Sequence, residues 1–202
     1  LTKKEGSIQS NGRQLRYDWF ISLLEILHFD LLLTDHQLND QLETFLIHLG
    51  RGTGLSGLLG IPSSATLFRP LLSFSKETIE AYAKHNNIDW REDSSNSSAT
   101  YWRNNLRHKV ITPLLNTHPQ YLQHFENTLV HLNSTQCFVE EQLIALKKTI
   151  FLSQEDHILI KIKSFKALPN LNFCAHHWFS PLGFHFKEVL KLLEAQTGSI
   201  IR

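Results

Sequence analysis

The stretch from His36 to Pro62, HQLNDQLETFLIHLGRGTGLSGLLGIP, concentrates the residue types that can do chemistry. His36 stands four residues before Asp40, which sets an imidazole beside a carboxylate where a proton could be held or moved. Asp40 and Glu43 also spell D-x-x-E, a capping box in which the Asp accepts a first-turn N–H and the Glu reaches back; spacing alone leaves capping and catalysis equally open. Five of the chain's nine glycines fall between Gly50 and Gly60. Gly52, Gly54 and Gly57 spell G-x-G-x-x-G, but they follow a helical segment and not a strand, which excludes the dinucleotide fingerprint. No Gly-Lys-Ser/Thr closes the loop, which excludes a P-loop. What is left is a loop whose backbone can approach a ligand closely, with Arg51 at its mouth, and such a loop favours an anion without naming one.

Two further groups of basic residues stand out. Arg13 and Arg16 lie three apart on one side of an early helix, where a solvated face would carry them. Arg103, Arg107, His108 and Lys109 form the densest basic patch, set among Tyr101 and Trp102, a mixture that fits an RNA backbone and an unstacked base as well as it fits a solvated helix face.

Composition narrows the options. Of 202 residues 42% are hydrophobic and 19% charged, enough apolar content for a core, and the formal charge of +1 means that any nucleic-acid contact must come from local patches. The twelve histidines have no H-x-x-x-H or H-E-x-x-H spacing, and Cys137 and Cys174 belong to no C-x-x-C pair, so zinc sites and a disulfide framework are not expected. No signal peptide or membrane-length apolar run is present, and the expected compartment is the cytoplasm.

The elements that must position these residues follow in order. Leu15, Trp19, Leu23, Leu24, Ile26 and Leu27 predict a helix over 7–28 that packs on a sheet. The run from Phe29 to Thr34 reads as a buried strand with His36 at its carboxyl end, the usual edge of a crevice in an open α/β sheet. A helix over 39–49 follows, with Leu42, Phe45, Leu46 and Leu49 on its buried face and its positive N-terminal end turned to the same crevice. Phe68 to Leu72 reads as a short edge strand because Pro70 cannot donate to a ladder. A helix runs from about Ser75 to Asn87, and the Ser- and Asn-rich stretch 91–100 reads as a loop in which Asp93 and Asn96 could make side-chain turns. Pro113 should bend or end the helix that carries Arg103 and Arg107.

Beyond Leu122 the pattern changes. Leu122, Phe125, Leu129, Leu132, Val139, Leu143, Leu146 and Ile150 step by threes and fours, which predicts one extended helix or a kinked pair that connects two modules. Ile158, Ile160 and Ile162 alternate with Leu159, Lys161 and Lys163 as a strand would. Pro181 and Gly183 mark a turn before an amphipathic helix through Phe186, Val189, Leu190 and Leu193. The boundary falls near Leu115 to Tyr121, giving domains over 1–116 and 117–202.

His36, Asp40, Gln41, Glu43 and Thr44, then Arg51-Gly52-x-Gly54-x-x-Gly57-Leu58 and Gly60-Ile61-Pro62, resemble the central motifs of the tRNA(Ile)-lysidine synthase family, ATP-dependent tRNA-modifying enzymes of the PP-loop ATP pyrophosphatase class. Arg13-x-x-Arg16-Tyr17 is similar to the family's Arg-Tyr signature. Arg91-Glu92-Asp93-x-Ser95-Asn96, followed by Tyr101-x-Arg103-Asn104-x-x-Arg107, is similar to the block that closes the catalytic domain. Order and spacing agree from about residue 7 to about residue 115. The family's Ser-Gly-Gly-x-Asp-Ser loop is not among these residues and neither is any Met, so either a fragment of a longer chain or a sequence with methionines left out is expected.

The resemblance implies an α/β fold: a partial Rossmann-like parallel sheet with helices, of the adenine nucleotide alpha hydrolase-like kind, followed by a mostly helical module. The first domain would be the C-terminal part of the ATP-binding catalytic domain, and the second a helical linker and tRNA-recognition module. The implied reaction adenylates the wobble cytidine of the CAU-anticodon tRNA(Ile) at its C2 oxygen, after which free L-lysine displaces AMP. ATP and Mg2+ are the implied cofactors, with tRNA and lysine as partners, no membrane, and homodimerisation left open. By the same resemblance Asp40, His36 and Arg16 are candidate catalytic residues, and Asp40 is also a candidate Mg2+ ligand. Arg51, Gly52, Gly54 and Gly57 would contact the nucleotide; Asp93, Asn96, Arg103, Asn104 and Arg107 would contact the tRNA. A second reading is another PP-loop enzyme with a different nucleophile, such as a thiolase. A third is a non-catalytic RNA-binding fragment.

Overall fold

The computed structural model describes residues 8–91, 102–155 and 157–195. They form two compact units, residues 1–133 and 134–202. In chain order the first unit holds helix α1 (Ile8–Leu27), strand β1 (Leu32–Leu33), helix α2 (Leu38–Gly50), the short helix α3 (Leu55–Leu58), strand β2 (Leu67–Phe68) and helix α4 (Lys76–His85). Helix α5 (Trp102–Leu106) continues through a π-helical turn, Arg107–Ile111, into α6 (Thr112–Thr117), and the long helix α7 (Tyr121–Ile150) follows.

Strands β1 and β2 pair in parallel, Leu32 with Leu67 and Leu33 with Phe68, and the crossover between them carries α2 and the glycine loop. A parallel pair requires such a crossover, and it places the start of α2 at the carboxyl end of β1. Both strands are shorter than their apolar runs predict. Phe29 and Leu31 stay 61% and 51% exposed, since the Phe29 N–H still bonds back to Leu24 and pairing begins only at Leu32. After Phe68 the chain leaves the ladder for turns at Arg69–Leu72 and Leu71–Phe74, so the expected strand over 68–72 keeps only its first residue.

Helix α1 has the expected bounds but not the expected packing. Leu15, Trp19, Ile26 and Leu27 are all more than half exposed, because the narrow sheet among the described residues does not cover that face. On α2, Leu38 and Leu42 are buried as an amphipathic face requires, with Phe45 and Leu46 packed on the same cluster, whereas Leu49 in the last turn is 53% exposed. The cluster also takes in Leu106, Ile111, Leu122, Phe125 and Leu129, and the Phe45 ring meets Phe125 edge-on at 5.3 Å.

Pro113 does not end its helix, which runs on to Thr117. It sits in the first turn of α6, where its missing N–H is tolerated, and the turn before it widens so that the Thr112 N–H reaches the Arg107 carbonyl. The apolar stripe after Leu122 forms one continuous helix of 30 residues, not a kinked pair.

In the second unit, strands β3 (Phe151–Ser153) and β4 (Ile158–Ile160) form an antiparallel hairpin. The expected strand stops at Ile160, because Ile162 opens helix α8 (Ile162–Lys166). Helices α9 (Leu171–Phe179) and α10 (Phe186–Glu194) complete the unit, joined by a 3-10 turn whose end, Gly183, has φ 87°. Its core is aromatic: Phe165 is fully buried among Trp178 and Phe179, with Phe151 edge-on to Trp178.

Candidate active site

The amino end of α2 gathers the ionisable residues of the first unit. Asp40 lies in the first turn, and its Oδ2 accepts the Gln37 N–H at 3.1 Å. Through that bond Asp40, the third residue of α2, reaches back to the N-cap Gln37, so the capping box expected of Asp40 with Glu43 is not formed. The Glu43 side chain is 1% exposed and turns to the helix that runs from Trp102, where Oε2 accepts from Arg103 Nε at 2.6 Å and Oε1 accepts from Arg107 Nε. The four-residue spacing of Arg103 and Arg107 puts both guanidinium groups on one helix face, so a single carboxylate can take both. The two Nη2 atoms then lie 3.6 and 3.7 Å from Asp40 Oδ1. Two carboxylates and two guanidinium groups thus form one cluster, and the bond to Glu43 raises the Arg107 pKa further against the opposing effect of burial. One donor in it is left over: Arg103 Nη2 is buried and has no hydrogen-bond acceptor among the described residues.

A second cluster centres on Arg69, directly after β2. It is 4% exposed, among the most buried charged residues described. Its Nη1 donates to Thr34 Oγ1 and, at 2.7 Å, to His36 Nδ1; its Nη2 donates to the Tyr17 hydroxyl at 3.2 Å; and its Nε donates to the Pro62 carbonyl at 3.1 Å. His36 therefore does sit at the carboxyl end of β1, with burial first and the Arg69 cation second lowering its pKa, and Asp40 and Asp35 opposing them. A neutral imidazole at pH 7 follows. Arg69 also walls a cavity of about 460 Å³ together with Gln14, Tyr17, Ser63 and Ser64.

The glycine loop is tied to α2 from inside. Gln41 Oε1 accepts the Ile61 N–H at 2.6 Å, and a Cβ on Gly60, whose φ is 82°, would stand 1.9 Å from that oxygen. The Gly57 carbonyl accepts from His48 Nδ1 at 2.6 Å, and a Cβ there would stand 1.9 Å from Thr53 Oγ1. Gly52 takes the left-handed conformation just after α2, and Gly54 has open space.

Of the residues expected in the site, His36, Asp40, Arg103 and Arg107 are thus brought to one end of α2. Arg51 and Gly52 lie at its other end, about 18 Å away along a helix of 13 residues. Arg16 is exposed on α1. Asn104 is half-buried on α5, while Asp93 and Asn96 lie outside the described residues. The basic patch divides, with Arg103 and Arg107 turned inward while Trp102, His108 and Lys109 stay exposed. Asp40 belongs to no group of three or more His, Cys, Asp or Glu side chains among the described residues that could hold a metal ion, and both its oxygens already face donors.

Sequence reasoning missed the partners of Glu43 and all of Arg69. A charged residue inside the apolar run LFRPLL was the available signal, since a guanidinium there must be buried and satisfied.

Comparison with known proteins adds two matches. Residues 1–114 match a family described as the PP-loop domain, and residues 153–202 match one described as the TilS substrate binding domain. Curated relatives include a tRNA(Ile)-lysidine synthase of Haemophilus ducreyi, 36% identical over 147 residues, 70% of this chain and 33% of the relative. Another from Porphyromonas gingivalis is 30% identical over 198 residues, 96% of this chain and 43% of the relative. A third from Bacteroides thetaiotaomicron is 31% identical over 201 residues, 98% of this chain and 46% of the relative. The chain spans less than half the length of these relatives.

Proposed function

We propose, from the premise that this chain belongs to the PP-loop family and carries the Rossmann-like fold of that family, that the protein is an ATP-dependent tRNA(Ile)-lysidine synthase. The C2 oxygen of the wobble cytidine in the CAU anticodon attacks the α-phosphorus of ATP, and pyrophosphate leaves. The amine of free lysine then attacks C2, the C2–O bond breaks, AMP departs, and the ammonium loses a proton. The observation that carries this reading is the cluster in which Glu43 holds Arg103 and Arg107 beside Asp40 while Arg103 Nη2 finds no acceptor among the described residues. Preorganised cations beside a carboxylate suit a step in which negative charge grows on phosphate oxygens, because dipoles and charges already in place need no reorganisation.

Asp40 is assigned the proton of the lysine ammonium, and Arg103 and Arg107 are assigned to the tRNA. His36 orients the substrate, and Arg16, exposed on α1, is assigned to phosphate. Binding of nucleotide at Arg51, Gly52, Gly54 and Gly57 is a separate proposal, because that turn stands a helix length from Asp40. Asp93, Asn96 and Asn104 are assigned to tRNA. ATP brings Mg2+, which keeps few protein ligands. Asp40 is the carboxylate nearest to hand, and to take the ion it would have to loosen its contacts to both arginines. The functional division proposed is 1–116 for the ATP-binding part and 117–202 for the linker and tRNA module, supported by the family matches at 1–114 and 153–202. No described helix is long and apolar enough to cross a membrane; the proposed place of work is the cytoplasm.

The test is an assay of the full-length protein with ATP, lysine and a CAU-anticodon tRNA(Ile) transcript, reading pyrophosphate release and lysidine. Lysidine formed in step with pyrophosphate is expected. Product only with a sulfur or ammonia donor would replace this reading with another PP-loop enzyme, and tRNA binding without any ATP-dependent step would replace it with an RNA-binding role.

A further inference from the structure

We propose that Arg69 is a positioning residue that fixes His36 as the neutral tautomer with its proton on Nε2, so that His36 meets the substrate as a hydrogen-bond donor and not as a proton acceptor. The proposal rests on the reading that His36 faces the reacting groups.

A guanidinium group has five N–H donors and no acceptor. With Arg69 Nη1 at 2.7 Å from His36 Nδ1, that ring nitrogen must present its lone pair, since a proton there would set two donors face to face beside a full positive charge. Thr34 Oγ1, 3.2 Å from the same nitrogen, accepts from Arg69, which leaves its own hydrogen free to turn toward Nδ1 as well. In the neutral ring the proton then belongs to Nε2.

Arg69 cannot swing aside to allow the other tautomer. Its Nε is bonded to the Pro62 carbonyl and its Nη2 to the Tyr17 hydroxyl, so three of its neighbours come from three different parts of the chain, and the residue is 4% exposed. Pro62 is itself held, because the preceding residue Ile61 is bonded to Gln41 on α2. The charged groups that act on the ring are Arg69 and Arg103 on one side and Asp40 and Asp35 on the other; with burial added, the balance lowers the His36 pKa and keeps the ring neutral. An Nε2–H donor suits a phosphate oxygen or the C2 oxygen of a cytosine. It cannot take the proton of a lysine ammonium, which leaves that task to a carboxylate such as Asp40.

The test is nitrogen NMR of the full-length protein labelled at its imidazoles, with the His36 signals identified by their loss in His36→Gln. At about pH 8, above the ordinary histidine range, Nδ1 should read as the unprotonated nitrogen and Nε2 as the protonated one. In Arg69→Met the two signals should move toward a tautomer mixture and the titration midpoint should rise. Lysidine formation should fall about a hundredfold, mostly in kcat, as expected when a reacting group loses its placement. Arg69→Lys keeps a cationic donor and should recover part of both. A protonated Nδ1 in the wild-type spectrum overturns the proposal whether or not any variant folds, and so does an unchanged tautomer in folded Arg69→Met. Full activity of His36→Gln overturns instead the reading of His36 on which the proposal rests.

Discussion

Arg103 Nε lies 2.6 Å from Glu43 Oε2 across 60 residues of sequence, and the carboxylate that receives it is 1% exposed. A buried carboxylate of this kind is stable only while its cations stay in place, so the pair that shapes the site also locks α5 to α2.

Replacing Glu43 with Gln keeps the shape and removes the charge that two guanidinium groups share. The expected loss is about 2–3 kcal/mol, below the range for a wholly buried pair because the arginines are partly solvated. Urea unfolding measures it. A loss within about 0.5 kcal/mol, the range of ordinary surface changes, would mean that the cluster does not hold the fold.

Asp40→Asn retains an oxygen to accept the Gln37 N–H, so α2 should keep its start and its stability. Lysidine formation should nonetheless fall by at least about a hundredfold, the usual scale for a lost acid–base group. Normal turnover by this variant would take Asp40 out of the chemistry.

Gly60→Ala should cost about 2–3 kcal/mol, from the left-handed backbone and from displacement of the Gln41 bond to Ile61. Gly54→Ala, where a Cβ meets nothing within 4 Å, serves as the control and should stay close to wild type in thermal melts. Equal melting temperatures for the two variants would contradict the tie between the loop and α2.

The lowered pKa of His36 gives stability a pH dependence of definite sign. Below the ordinary value of 6.5 the unfolded chain binds a proton that the folded His36 resists, so stability present above that value is lost as pH falls toward the folded pKa. Denaturant unfolding of wild type and His36→Gln over this window should show a shallower loss in the variant. Parallel curves would mean that burial and Arg69 do not hold the ring neutral.

Lys109 and Trp102 point outward beside each other, where a tRNA backbone could lie. Lys109→Gln should reduce the salt slope of tRNA binding by about one ion, and Trp102→Ala should weaken binding by about 1–3 kcal/mol. An unchanged slope in Lys109→Gln would move the tRNA path elsewhere.

The amphipathic spacing of α2, the stripe of α7 and the strand Ile158–Ile160 could be read from sequence because local periodicity encodes them, although β3, the partner of that strand, was not read, and His36 stood out by its place after an apolar run. Strand length could not be read so, because the run from Phe29 to Thr34 is apolar throughout while only Leu32 and Leu33 find a partner. Side-chain partnership was equally out of reach. D-x-x-E spacing suggests a cap led by Asp40, whereas Asp40 reaches back to a helix start at Gln37, and Glu43 turns inward to Arg103 and Arg107, which arrive from 60 and 64 residues away. The glycine spacing suggested approach to a ligand, while at Gly57 and Gly60 the close neighbours are the protein's own Thr53 and Gln41. By itself the sequence determined helices α1, α2, α4, α7 and α10, the order of the motifs and the residue types able to handle phosphate. The tertiary structure decided which of them meet, because a hydrogen bond depends on distance in space and is indifferent to distance along the chain.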